Sequence, residues 1–322
     1  MSYETGTATS QADLITKLFT FLTGTPGWTQ DQLDTTARQA AIHKGTVYVQ
    51  FKWNSSPDHI GIYHSLNYIG GNSPGNHTND SGNGDISGVV DTDRMINAIG
   101  AGPSPAYHFF ADGSYFHAVL EYSSGIFRHF GAGIMNKVGT WTGGEYCYGH
   151  YWEPLDPADP IDNRHSLGLD AGLTSGVQRA ATLHVEGLPD EGASSKWAVI
   201  WGATAGAGND RAGNARVFVL GGLREGFLAN AMAGQIANPN NGYVAMHPIH
   251  CYYRLVSGTP NKFRFLGSQP HVRALNMKFI NVGEEFSVGG ETWKVFPWVR
   301  KNDLAGGVEG SGNLGLAYRK IT

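Results

Sequence analysis

The sequence is poor in the residues that most often announce a chemistry. Its 322 residues contain two cysteines, Cys147 and Cys251, too few for the disulfide framework of a small secreted domain. A chain kept in a reducing cytoplasm holds both as packed thiols. Charged residues make up 16% of the total and the net charge is −4, so no global field draws the chain toward nucleic acid or an anionic membrane. No apolar run approaches the roughly 18 residues that mark a spanning helix. Residues 1–14 have neither the basic nor the apolar stretch of a secretory signal, and export by that route is not expected. The glycine-rich stretch Gly206–Gly213 lacks the Gly-Lys-Ser/Thr ending of a phosphate loop and reads as surface loop.

What is abundant is glycine and aromatic side chains, with 45 Gly, 8 Trp, 14 Tyr and 15 Phe. Glycine stands at about twice its average share of roughly 7%. It weakens helix interiors and supplies turns, while large aromatics favour pleated, half-buried surfaces. Together they predict a mainly β protein, built of antiparallel sheets of sandwich or meander type, with an N-terminal α-helix. That helix starts after Ser10 as cap, with Asp13 three positions on and Leu14, Leu18, Phe21 and Leu22 on one stripe. Gly24, Pro26 and Gly27 end it.

Thr46–Trp53 alternates apolar and polar side chains and reads as a half-buried strand, with Ile60–His64 as its neighbour. Residues 71–88 form a long polar loop, and a short helix is expected over 93–99. A meander follows in Tyr107–Phe110, Ser114–Tyr122 and Ile126–Phe130, with Asp112-Gly113 as a hairpin turn. Later strands are expected at Lys196–Gly202, Ala215–Leu220, Tyr252–Val256, Lys262–Leu266 and Leu314–Tyr318, with a hairpin across Gly289-Gly290 and a helix over 223–236. Pro157 and Pro160 mark 156–176 as a linker between a helix-plus-β domain, 1–155, and a second β domain, 177–322.

Of thirteen histidines, His108, His117, His129 and His150 fall in or beside the meander, where neighbouring strands could gather three around zinc. No close ligand pair such as His-x-His accompanies them, so hydrogen-bonded strand histidines are expected, with no metal and no other cofactor. Cys147 with His150 or His165 as base is the thiol-hydrolase arrangement to weigh. Cys147 sits in a strand-like segment rather than at a helix N-terminus, which favours a core role. Asp112, Glu121, Glu145 and Glu153 are the carboxylates from which a glycoside-cleaving pair would come. Exposed Trp and Tyr side chains could stack on sugars, which makes a host-surface glycan a partner to weigh. The expected interaction surface is the polar loop, through Asn72, Asn76, His77, Asn79 and Asn83, together with Trp298. No catalytic residue is expected.

Several segments carry a likeness. Gly6–Leu18 running into Gly27-Trp28-Thr29, His43–Val49, Gly131-Ala-Gly133 with Lys137 and Gly143-Gly144, Trp293–Trp298 and Asn313–Arg319 together resemble a group of tailed-bacteriophage virion structural proteins. The resemblance implies assembly in the host cytoplasm into the particle's tail, baseplate or tail tip. It implies other virion proteins and further copies of the chain as partners, with no nucleic acid and no membrane span. A neck, collar or head-decoration protein is the nearest alternative. A carbohydrate-recognising receptor-binding module, and after it a cell-wall hydrolase, are the alternatives from other classes.

Overall fold

The structure is a computed structural model that describes residues 2–53, 60–71, 95–96, 106–149, 181–186, 197–202, 216–219, 244–255, 262–298, 300–301 and 314–320. The polar loop beyond residue 71, the 156–176 linker and the 223–236 helix lie outside these residues. The fold is mainly β, with one helix near the N-terminus among the described residues.

Helix α1 runs Gln11–Thr23. The Ser10 hydroxyl accepts the Asp13 N–H at 3.1 Å, and the Asp13 carboxylate accepts the Thr9 N–H at 2.8 Å. Donors left without helical partners are thereby satisfied at the start of the helix. The buried face holds Ile15 and Phe19 as well as Leu14, Leu18, Phe21 and Leu22, a wider stripe than expected.

The strands are β1 Ser2–Thr7, β2 Thr29–Asp34, β3 Gln39–Lys44, β4 Val47–Trp53, β5 Ile60–Ser65, β6 Met95–Ile96, β7 Ala106–Ala111, β8 Tyr115–Ser123, β9 Ile126–Ile134, β10 Asn136–Lys137, β11 Thr142–Gly149, β12 Ala181–Glu186, β13 Trp197–Gly202, β14 Arg216–Val219, β15 His247–Leu255, β16 Lys262–Asn276, β17 Glu285–Val288, β18 Glu291–Pro297 and β19 Leu314–Lys320. A small sheet has the order β2-β3-β4-β5-β6. A large one has the order β1-β7-β8-β9-β11-β12-β13-β14-β15-β16-β19-β18-β17. Its pairs are antiparallel except for β13 with β14. Because β10 continues from β9 and pairs with β16, the path β9/β10-β11-β12-β13-β14-β15-β16 returns to its own start.

Met95 and Ile96 correct the helix expected over 93–99. They pair with Gly61 and Ile60 as strand, since the open edge of β5 offers backbone partners that outweigh a weak local helix preference. In β4 the alternation holds for Val47, Val49, Phe51 and Trp53, but Gln50 is buried as well. Its amide donates to the Ser65 hydroxyl at 2.6 Å, the partner that a buried polar group requires.

The central layer is β7, β8, β9 and β11, and it is covered on both faces. Phe109, Phe116, Ala118, Leu120, Phe130, Ala132 and Cys147 face α1 and the small sheet. Phe110, Val119, Phe127, Tyr146 and Tyr148 pack with Leu183, Ile249, Cys251, Leu266, Phe296 and Leu316. That second core joins side chains from both sides of residues 156–176. Within that layer, a Cβ on Gly131 in β9 would fall on the Phe116 carbonyl of the neighbouring β8. A third, smaller cluster around Met277, Trp293 and Val295 lies behind β17.

Inside the second core runs a chain of polar side chains. His117 Nδ1 lies 2.7 Å from the Tyr148 hydroxyl and its Nε2 2.9 Å from the Pro270 carbonyl. His129 Nδ1 lies 2.8 Å from the Tyr318 hydroxyl and its Nε2 3.0 Å from the Pro297 carbonyl. Tyr148 and Tyr318 bond to each other. Burial pushes His117 down to about 3 and His129 to about 4, so both rings are neutral at neutral pH. A carbonyl only accepts, so each ring carries its proton on Nε2 and accepts at Nδ1.

The unfolded chain takes protons on these rings below pH ~6.5 while the fold resists them to about pH 4, so acid removes stability. Each such ring costs roughly 1.4 kcal/mol per pH unit in that window. Urea midpoints should fall from pH 7 to 4.5, and His129→Gln should flatten the slope. His184, raised above its ordinary value, contributes with the opposite sign and is left in place by this variant. An unchanged slope, or a His129 ring charged at pH 6 by NMR, would contradict the assignment.

Candidate functional site

The residues singled out by sequence take several places. Asn72, Asn76, His77, Asn79 and Asn83 lie outside the described residues, as do His150, Glu153 and His165. Trp298 is completely buried and stacks on His129 at 6.0 Å, so it belongs to the core and offers no area to a partner in this fold. Asp112 holds its own turn, accepting the Ser114 and Tyr115 N–H groups at 2.6 and 3.2 Å. Glu121 accepts the Gly125 N–H at 2.9 Å. His108 lies beside the Tyr3 hydroxyl at 3.0 Å and the Thr5 hydroxyl at 2.9 Å. Among the described residues no group of three or more His, Cys, Asp or Glu is placed to hold a metal. Cys147 and Cys251 are buried free thiols, and burial raises Cys251 to about 12.

The pentapeptide Gly71-Asn-Ser-Pro-Gly75 matches Gly-x-Ser-x-Gly. In a nucleophile elbow the residue after the serine lends its backbone N–H to the oxyanion. Pro74 has none.

Among the nominated carboxylates that the structure describes, Glu145 alone is drawn into a charged chain. It follows a bulge at Gly143 and Gly144, whose φ values of 105° and 109° are glycine conformations, and where the β11–β12 register shifts. Bulges re-aim the side chains that follow them. Here the Glu145 carboxylate meets His184 Nδ1 at 2.7 Å and accepts the Thr46 hydroxyl at 2.6 Å. His184 Nε2 then meets the Glu186 carboxylate at 2.9 Å. Burial by itself would raise Glu145, but the bonds from His184 and Thr46 hold it down at about 2. Burial alone would lower His184; its bonds to Glu145 and Glu186 win and raise it. The result is an imidazolium between two carboxylates, with side-chain exposures of 8% for Glu145, 6% for His184 and 31% for Glu186.

Glu186 opens on a cleft of about 560 Å³, lined also by Lys137, Gly139, Thr140, Trp141 and Thr142. The Lys137 ammonium donates to the Trp141 and Gly143 carbonyls at 3.1 and 3.0 Å and sits 5.1 Å from the Trp141 ring centre. His184 and Glu186 were not singled out by sequence. The alternation Thr182, His184, Glu186 in β12 was the available signal.

A second feature is the β17 edge. β17 ends the large sheet, and among the described residues its outer edge pairs with no strand. In β17 and the segment before it, Phe279, Val282 and Val288 are 64%, 43% and 51% exposed. Among the described residues no helix is long and apolar enough to cross a membrane. No protein-family model matches the chain, and comparison with curated proteins gives no match.

Removing one member of a buried ion pair strands the other. Glu145→Ala should therefore lower stability by about 3 kcal/mol and bring the His184 ring down toward its ordinary range. Ring titration by NMR and urea unfolding read the two effects; a His184 titration unmoved by the change would contradict the triad.

Proposed function

We propose that the protein is a structural component of a tailed-bacteriophage virion, in the tail at the baseplate or tail tip, working through protein–protein contacts and without catalysis. The observation that carries this reading is the β17 edge, which pairs with no strand among the described residues, together with the exposed Val288 in it and Phe279 and Val282 in the segment before it. An open edge offers a row of backbone donors and acceptors that another chain can extend as a further strand. Exposed apolar side chains in and just before an open strand add to its tendency to associate. Particle assembly calls for repeated, symmetric contacts of this kind among many copies.

The sequence likeness to virion structural proteins points the same way. Two of the segments that carry it, Trp293–Trp298 and Asn313–Arg319, overlap β18 and β19, the strands next to β17 in the large sheet. Other copies of the chain and other virion proteins are the partners this reading implies. A place in the neck, collar or head decoration would use the same kind of contact.

Val288→Lys and Phe279→Asp test the edge. The unaltered protein should self-associate in light-scattering measurements and enter particles, whereas the variants should stay monomeric and be left out. Their stability should remain within about 0.5 kcal/mol, as expected for exposed positions. Variants that assemble as well as the unaltered chain would remove the edge from the assembly role.

A further inference from the structure

We propose that the cleft beside Glu186 binds the hydroxyl groups of a neutral saccharide. Charge comes first. One wall carries the Lys137 ammonium and another the Glu186 carboxylate, so an anionic or a cationic ligand would meet a like charge at short range. A neutral ligand rich in hydroxyls meets no such conflict. It can donate to Glu186 and accept from Lys137, and it can do either with the Thr140 and Thr142 hydroxyls.

Preorganisation comes second. Glu186 does not stand alone, because the His184 imidazolium holds it at 2.9 Å and is held in turn by Glu145 at 2.7 Å, itself bonded to Thr46. A polar group fixed in this way loses little freedom when it takes a ligand hydroxyl. The side of the cleft that carries Lys137 is equally fixed. Lys137 clamps the Trp141 and Gly143 carbonyls, the Val138 N–H bonds the Leu266 carbonyl at 2.8 Å, and Trp141 is 8% exposed.

Size comes third. At about 560 Å³ the cleft lies in the usual range for small-molecule sites, roughly 300–1,000 Å³. Trp141, Thr140 and Thr142 are among the lining residues, and their carbon atoms are the source of apolar contact for a sugar ring's carbon face.

The test uses the full chain. Saturation-transfer NMR is run against methyl glycosides of neutral hexoses and N-acetylhexosamines, beside an array of neutral and acidic glycans. Saturation of a neutral saccharide is expected, with shifts at the Trp141 indole and at the Thr140 and Thr142 amides. Glu186→Gln should weaken it by about tenfold, the scale of losing a charge-assisted hydrogen bond. Lys137→Met should weaken it too, while Val288→Lys should leave it unchanged. Silence from every neutral glycan, a response to acidic glycans alone, or undiminished binding by a folded Glu186→Gln protein would each overturn the proposal. Glu186→Gln should still enter particles. Sugar binding by a chain that never enters particles would sink the virion reading and leave this one standing.

Discussion

His117 and His129 each bring two ring nitrogens into a core of aromatic and aliphatic side chains, and the rest of the large sheet depends on how those nitrogens are satisfied. His117 stands on β8 and reaches β16 through the Pro270 carbonyl; His129 stands on β9 and reaches β19 and the end of β18 through Tyr318 and Pro297. These bonds join the meander to the C-terminal strands. They also specify the register, because a slip by one residue would turn His117 or His129 to the opposite face. Two neutral imidazoles and two phenols carry four protons, yet the run between the two proline carbonyls has five contacts. Whichever way the phenol protons turn, one contact is left without one. A fifth proton would fill it only by charging a buried ring, which the apolar surroundings oppose.

The molecule treats charge differently at its rim. Glu145, His184 and Glu186 are ionised and bonded in series, and the most exposed member is the one that faces the cleft. Thr46 ties this series to the segment entering β4, so the ion triad that follows the glycine bulge is bonded to the small sheet's side of the molecule. A neutral polar chain thus holds the interior, and a charged one holds the place where solvent and ligand arrive. The β17 edge is separate from both, backed by its own cluster of Met277, Trp293 and Val295.

Elements with one buried face were readable in the sequence. Thr46–Trp53 alternates because α1 and β9 cover one side of β4, and Asp112-Gly113 marks its turn because Asp112 accepts the Ser114 and Tyr115 N–H groups. β1, Ser-Tyr-Glu-Thr-Gly-Thr, and β2, Thr-Gln-Asp-Gln-Leu-Asp, gave no such signal. They are strands because β7 and β3 offer them backbone partners. Trp298 looked like surface because hydropathy does not report that β19 and His129 close over it. Of the ion triad only Glu145 stands out in the sequence, since its partner lies 39 residues away on another strand and pairing at that distance leaves no local trace.

On the proposed reading this chain is a repeated part of a phage particle, joined to its neighbours through the β17 edge. A density map of the intact particle tests it most directly. The map should place several copies in a symmetric ring at the tail, with Phe279, Val282 and Val288 buried against an adjacent chain. A particle without the protein, or copies whose β17 edges face solvent, would contradict the claim.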